Sequence, residues 1–201
     1  MTIGVLGTGR IATALAVLFA RAGHQVRLGS PDAGHGHGHG TAARPGPPEL
    51  TGGSCEDVVR QASVLIPAVL GVPGAVQLLR PWREAVAGKI LLDVTNPLTG
   101  DHTDFVGPWA HGGAADLVTA FPGARLVGVF KNVWWENLAD GDASAVPDIQ
   151  VVSDDAEAKR AVLRLCAATP YTYVDAGGLD QARRVERMAL SGARTRRGFA
   201  A

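Results

Sequence analysis

The chain has 201 residues, the size of one domain with at most a small appendage. Its 19 Lys and Arg residues balance 19 Asp and Glu residues, and a formal net charge of zero excludes a nucleic-acid binder driven by bulk positive charge. Hydrophobic residues make up 46% of the chain, enough for a core, and no long apolar or basic amphipathic stretch favours a membrane. Two distant cysteines, Cys55 and Cys166, exclude a disulfide framework, so we expect a cytoplasmic protein.

Short apolar runs alternate with helical patterns along the chain. The apolar runs predict strands at residues 3–6, 25–28, 64–66, 89–94, 125–130, 149–152 and 171–174. Apolar side chains at helical spacing follow most of these strands. The alternation predicts an α/β fold: a doubly wound, mainly parallel sheet with helices on both faces and a short C-terminal helical part. We expect residues 1–178 to form the sheet domain and residues 179–201 a C-terminal helical segment.

Two helix ends carry local signals. Gly23 follows the first helical pattern in the position of a C-terminal cap. Asp154 and Glu157 have the spacing of a capping box, which predicts that the helix through Val162 and Leu165 begins there.

Residues 32–53 interrupt the alternation. This segment has no hydrophobic period and places several prolines among many glycines, so we expect a flexible loop where a crossover helix would normally stand. His35, His37 and His39 alternate with glycines within it. Because glycines do not hold ligands in a preformed geometry, we interpret these histidines as a solvated repeat and expect no metal site.

A glycine-rich turn follows the first strand. Gly7-Thr8-Gly9-Arg10-Ile11-Ala12 fits G-x-G-x-x-A between a strand and a helix. Gly7 permits a tight turn, Gly9 lets the backbone approach a pyrophosphate, and Ala12 keeps the helix close to the sheet. The helix N-terminus offers free N–H groups to phosphates. The turn predicts a Rossmann-type dinucleotide site within residues 1–178.

The end of the second strand indicates which dinucleotide binds. An acidic residue there would hold a ribose 2′-hydroxyl and favour NAD. The chain has Gly29-Ser30-Pro31 instead, with Asp32 close behind. Ser30 can bond a 2′-phosphate and Arg10 can reach over it, which favours NADP.

Several motifs together carry a family resemblance. They are Gly7 to Ala12, Gly29-Ser30, Thr95-Asn96-Pro97-Leu98, Phe130-Lys131-Asn132, and Asp175-Ala176-Gly177-Gly178-Leu179 followed by Arg183 and Glu186. With these motifs the chain resembles the F420-dependent NADP oxidoreductases. The resemblance implies an NADP-binding Rossmann domain with a small C-terminal helical part, and direct hydride exchange between NADP(H) and the deazaflavin coenzyme F420. We expect small-molecule substrates, no nucleic acid or membrane partner, and a homodimer.

The resemblance also implies roles for individual residues. Those assigned to NADP are Gly7, Thr8, Gly9, Arg10, Ile11, Ser30, Ala68, Leu70, Asn96, Pro97 and Val133. Lys131 and Asn132 would form the hydride-transfer pocket as the catalytic pair. Trp135 and Arg183 would contact the second substrate, although the Trp134-Trp135 pair would equally suit packing of a helix start against the sheet.

The substrate end of the chain departs from the family pattern. Lys131 replaces the usual Asn or His, and bulky tryptophans follow it. Lys131 could polarise a carbonyl or imine or bind an anionic group; the alternative is a salt bridge to Asp93 or Glu136. Two further functions therefore stay open: an NADPH-dependent reductase of a small imine or ketone intermediate, and a non-catalytic NADP-binding module.

Overall fold

A computed structural model describes residues 1–30, 47–69, 71–99, 104–106, 113–134, 137–138 and 146–197. The histidine repeat at residues 35–39 and most of the predicted loop lie outside these ranges. Within them, no helix is long and apolar enough to cross a membrane.

Six parallel strands form the main sheet. They are β1 Thr2–Leu6, β2 Gln25–Ser30, β3 Leu50–Ser54, β4 Val64–Pro67, β5 Ile90–Asp93 and β6 Arg125–Gly128. Their spatial order is β3-β2-β1-β4-β5-β6. Strands β2 and β3 therefore lie on one side of β1 and strands β4 to β6 on the other, and the order switches between β1 and β4. Dinucleotides bind at such a switch point, outside the carboxyl ends of the strands.

A second, two-stranded parallel sheet extends the fold. It consists of β7 Ile149–Val151 and β8 Tyr173–Asp175. An antiparallel bridge between Gly128 and Val152 joins it to the end of β6. The helices are α1 Arg10–Arg21, α2 Cys55–Gln61, α3 Gly71–Leu79, α4 Arg83–Val86, α5 Gly113–Ala120, α6 Ala156–Cys166 and α7 Ala182–Arg197, with 3₁₀ turns at Arg80–Trp82 and Leu179–Gln181.

The strands are buried on both faces. Successive side chains of β4 point to opposite sides of the sheet: Ile66 belongs to the cluster under α1 and α6, and Leu65 to the cluster under α2, α3 and α5. Parallel sheets covered by helices on both faces have such continuous apolar strands. The predicted doubly wound, mainly parallel sheet with a C-terminal helix is therefore confirmed.

Two local predictions need correction. Leu50–Gly53, the end of the predicted flexible loop, belongs to the edge strand β3, which pairs with β2 in register from Val26 and Leu50 to Ser30 and Ser54. This strand is held by backbone pairing with β2, and its sequence has no hydrophobic alternation that would have predicted it. The N-cap of α6 is Asp155, whose carboxylate accepts hydrogen bonds from the Glu157 and Ala158 N–H groups.

The neighbouring acid has a different partner. Asp154 accepts a hydrogen bond from the Leu179 N–H, so it is not the helix cap that the sequence predicts. The prediction for Gly23 is confirmed, since its φ is +83° and its N–H donates to the Ala20 carbonyl.

Candidate functional site

The carboxyl ends of the parallel strands meet along one edge of the sheet. Gly7 follows β1, Ala68 follows β4, Thr95 lies just beyond β5, and Lys131 lies just beyond β6. The sequence motifs that predict the site therefore lie along one edge, as expected for a doubly wound sheet.

Gly7 and Gly9 serve this edge in different ways. Gly7 has φ +119°, and a Cβ there would lie 2.8 Å from the Ala68 carbonyl oxygen. Its N–H donates to the Gly29 carbonyl at 2.9 Å, so the ends of β1, β2 and β4 meet around a residue without a side chain. Gly9 has extended backbone angles, and a Cβ there would have no neighbour within 4 Å.

The start of α1 fits a phosphate group. Gly9 is its N-cap and has no side chain with which to cap the helix, and the first turn has no acidic residue. The 12-residue helix thus presents its positive dipole end to the open space beside Gly9. These residues fit a dinucleotide pyrophosphate.

The other predicted NADP residues lie along the same edge. Thr8 and Arg10 are exposed beside Gly9, Ile11 is half-buried against the core, and Ser30 is half-buried at the end of β2. Ala68 is buried, with its carbonyl against Gly7. Leu70, Pro31 and Asp32 lie outside the described residues.

Lys131 is the centre of a buried ionic cluster at the ends of β5 and β6. The side chain has no exposed surface, and its ammonium donates to Asp93 Oδ2 at 2.5 Å and to the Thr95 carbonyl. Glu186 Oε1 of α7 lies 3.2 Å away on a third side. Two of the three N–H donors of the ammonium make hydrogen bonds. Glu186 Oε1 lies within ion-pair distance but accepts no hydrogen bond from a described residue. The structure thus contains the salt bridge to Asp93, one of the alternatives that the sequence left open for Lys131. A contact between Lys131 and the substrate stays a prediction.

Asn132 and Val133 also take protein partners. The Asn132 amide donates to the Asp148 carbonyl at 2.9 Å, and its Oδ1 accepts from the Gln150 N–H at 3.1 Å. Both ends of the amide thus hold the chain beyond β6 to the start of β7, which argues against the predicted catalytic role. Val133 is 6% exposed and packs in the core, so its side chain is not available to NADP.

Trp134 and Trp135 follow Val133 in the chain beyond β6. Trp134 Nε1 donates to the Ala189 carbonyl of α7 at 2.9 Å, which supports packing rather than stacking on a substrate. Trp135, the predicted substrate contact, lies outside the described residues, as does Glu136.

Asn96 and Arg183 lie beside the cluster. The Asn96 amide donates to the Lys131 carbonyl at 2.9 Å, and its Oδ1 is buried and accepts no hydrogen bond from any described residue. Arg183 lies 3.7 Å above the Phe105 ring and 3.4 Å from Glu186 Oε2. The structure therefore brings together three predicted site residues, Asn96, Lys131 and Arg183. Pro97, next to Asn96, is half-buried.

The site residues predicted from the sequence do not include the two buried carboxylates of this cluster. Asp93 and Glu186 are fully buried. One signal for Asp93 was available, because an acid that ends the apolar strand Ile90–Asp93 needs a buried partner. Glu186 stands three residues after Arg183 on α7, a spacing that puts both on one helix face.

Phe130 sets the direction of the chain at this edge. Among the described residues other than glycine it alone has a positive φ, +59°. Its ring is buried against Phe19 and Tyr173 in edge-to-face contacts, with ring centres 6.1 and 5.8 Å apart. The packing holds a backbone conformation that costs on the order of 1–3 kcal/mol for such a residue. No sequence signal predicts it.

Comparison with known proteins bears on what this site does. Residues 2–97 match the family model described as NADP oxidoreductase coenzyme F420-dependent. The F420-dependent NADP reductase of Methanothermobacter marburgensis is 30% identical over 203 residues, which cover 94% of this chain and 89% of that protein. Human metalloreductase STEAP2 is 25% identical over 94% of this chain, which spans only about a third (36%) of the length of that relative.

Solved structures include a relative of the same kind. The crystal structure of a candidate F420-dependent NADP reductase from Arthrobacter sp. FB24 superposes with a TM-score of 0.82 at 26% identity, covering 100% of this chain and 96% of that one. The shared fold thus extends over the whole of this chain. With a 30% identical relative aligned over nearly the whole of both chains, the chain belongs to the coenzyme F420-dependent NADP oxidoreductase family and is an NADP-dependent oxidoreductase.

Proposed function

We propose that this enzyme transfers a hydride between NADP(H) and the deazaflavin coenzyme F420. The observation that carries the proposal is the match to the F420-dependent NADP reductase of M. marburgensis, which extends over 94% of this chain. The geometry of the sheet edge supports it, because the edge offers an open phosphate position at Gly9 and a separate buried polar cluster near Asn96.

The strand order supports one orientation of NADP(H). The pyrophosphate would lie at Gly9, against the N-terminus of α1. The adenosine half would extend over β2, where Ser30 and Arg10 would hold the 2′-phosphate. The nicotinamide half would then lie towards β4 and β5, beside Ala68 and Asn96. Every residue in this assignment has the chemistry that its proposed neighbour needs.

Hydride transfer requires little acid–base chemistry from the protein. When bound, NADPH supplies two electrons and one proton as a hydride, and the protein contributes orientation and exclusion of water. The cluster beside Asn96 suits that task, since its two carboxylates, Asp93 and Glu186, face two cations, Lys131 and Arg183. Balanced charges fix the geometry of the edge without adding a net charge near the reacting rings.

Steady-state kinetics with purified coenzyme F420 test the proposal. NADPH should reduce F420, seen as loss of the deazaflavin's visible absorbance, and NADH should be a poorer donor. The same assays with a panel of imines and ketones address the alternative substrate class. Turnover of an imine or ketone without turnover of F420, in a protein that binds NADPH, would overturn the proposed second substrate.

A homodimer in the cytoplasm completes the proposal. Cys55 and Cys166 are both buried as thiols rather than joined in disulfides, which suits a reducing compartment. Val118 of α5 and Met188 of α7 are each 41% exposed, and the two helices pack against each other, so this region offers apolar surface for a second subunit. Light scattering should give twice the 20.8 kDa mass of one chain; a single-chain mass would contradict the dimer.

A further inference from the structure

Lys131 joins three separate segments of the chain. Its ammonium contacts Asp93 at the end of β5, the Thr95 carbonyl in the loop that follows, and Glu186 of α7. Asp93 Oδ1, in turn, accepts hydrogen bonds from the Thr95 N–H at 2.9 Å and from the Thr95 hydroxyl at 2.7 Å. Thr95 is therefore held through its N–H, its hydroxyl and its carbonyl by one buried ion pair.

The next residue, Asn96, is held by Lys131 as well. Its amide group donates to the Lys131 main-chain carbonyl, which fixes the side chain across the gap between the loops after β5 and β6. The remaining atom, Oδ1, is buried and receives no hydrogen bond from the described part of the chain. A buried acceptor without a donor costs about 1–3 kcal/mol. An N–H group of a ligand would remove that cost.

We propose that Lys131 is a positioning residue, which holds Asn96 so that Oδ1 accepts a hydrogen bond from the carboxamide N–H of the nicotinamide. The carboxamide is the N–H donor of that half of NADP(H), and the strand order places the nicotinamide half at this edge. The inference rests on the proposed function only for the position of the nicotinamide. It does not depend on the identity of the second substrate.

Energetics favour positioning over a purely stabilising role. A buried ion pair is weak evidence for stability, because desolvation of two charges offsets much of their attraction. An apolar side chain of similar size at position 131 would fill the same volume without that cost. It could not bind the Thr95 carbonyl, however, so the loop that carries Asn96 would lose one of the hydrogen bonds that hold it.

The test is a charge-balanced double variant, Lys131→Met with Asp93→Asn. It removes one cation and one anion together, and the asparagine keeps an oxygen to accept from Thr95. Lys159→Met is the matched control, because Lys159 is also buried and also bonds one carboxylate and one carbonyl, those of Asp175 and Gly177. Circular dichroism and urea unfolding establish that each variant is folded.

Binding is measured by calorimetry with two probes, NADPH and 2′-phosphoadenosine diphosphoribose, which lacks the nicotinamide. The double variant should bind NADPH roughly 2- to 10-fold more weakly, the worth of one hydrogen bond, and the nicotinamide-free probe as the parent does. Lys159→Met should leave both affinities unchanged. Equal losses for both probes, or no loss for NADPH, would overturn the proposal.

Asn96→Ala keeps the proposal testable if the double variant fails to fold, because it removes the acceptor without disturbing a buried charge. It should show the same selective loss of NADPH affinity, and combining it with the double variant should add nothing further. Additive losses would show that Lys131 does not act through Asn96. If F420 is a substrate, kcat should also fall, on the order of 10- to 100-fold for a misplaced reactant. Absence of F420 turnover in the parent enzyme would reject the proposed second substrate and leave the binding test intact.

Discussion

Replacement of Gly9 by aspartate should have opposite effects on the stability of the protein and on its affinity for NADPH. The free protein should become more stable, since the N-cap of α1 is Gly9, which has no side chain with which to cap the helix. Aspartate is a favoured N-cap, and its extended backbone conformation is that of Gly9 already. A Cβ at this position meets nothing within 4 Å, so the side chain enters without a clash.

We expect Gly9→Asp to make the protein more stable and to make NADPH binding weaker. Capping and the helix dipole together should raise the free energy of unfolding by about 0.5–1.5 kcal/mol. The carboxylate would occupy the place of the pyrophosphate. One charge pair 4 Å apart repels by about 4 kcal/mol at an effective dielectric constant near 20, so the affinity for NADPH should fall roughly 10³-fold or more.

Two measurements check this prediction. Urea unfolding of the free protein gives the stability, and NADPH fluorescence titration gives the affinity. Gly9→Asn is the control, because asparagine caps as well as aspartate does but carries no charge, and it should lose far less affinity. Unchanged NADPH binding by Gly9→Asp would refute the assignment of the glycine turn as the pyrophosphate site.

Further predictions concern the 2′-phosphate, one helix cap and the thiols. Arg10→Ala should weaken NADP by about 1–3 kcal/mol and leave NAD nearly unchanged in parallel titrations; equal losses would show that Arg10 does not bind the 2′-phosphate. Asp155→Ala should lower the free energy of unfolding by about 0.5–2 kcal/mol near pH 7 through loss of the α6 cap. The hydrogen bond from Arg125 lowers the pKa of Asp155, so its ionic contribution is complete above the usual carboxyl pKa of about 3.9 and is lost as the pH falls below it. The difference in free energy of unfolding between parent and variant, measured with urea, should therefore be smaller at pH 3 than at pH 7. A difference that does not change with pH would contradict an ionic contribution of Asp155. Burial raises the pKa of the Cys166 thiol to about 12, and Cys55 is also buried, so Ellman's reagent at pH 8 should find two thiols only after unfolding and no fast thiol before it.

The glycine turn and most of the parallel strands could be predicted because their signals are local. A G-x-G-x-x-A motif requires only a strand before it and a helix after it, and apolar runs identify most parallel strands. The edge strand β3 gave no such signal, since Leu50–Ser54 contains two glycines and no alternation. Its position follows from main-chain pairing with β2, which side-chain patterns do not encode.

The role of Lys131 could be narrowed but not decided from sequence. Its position after the strand that became β6 placed it at the ligand edge, with a substrate or an acid, Asp93 or Glu136, as its partner. The choice depends on Glu186 and the Thr95 carbonyl, which arrive from α7 and from the loop after β5. Likewise, the sequence motif suggests Asn132 as a pocket residue. In the structure, both ends of its amide form hydrogen bonds with the backbone at the start of β7. Contacts between distant segments decide both cases.

The left-handed conformation of Phe130 couples the packing of the core to the position of Lys131. Phe19 of α1 and Tyr173 of β8 hold the ring that imposes this conformation, and the next residue in the chain is Lys131. A smaller side chain at Phe19 would let the backbone relax towards a commoner conformation and would move the lysine with it. Substitutions of buried residues such as Phe19 would then weaken binding of the nicotinamide half, so positions that never touch a ligand would still change the affinity of this enzyme for NADPH.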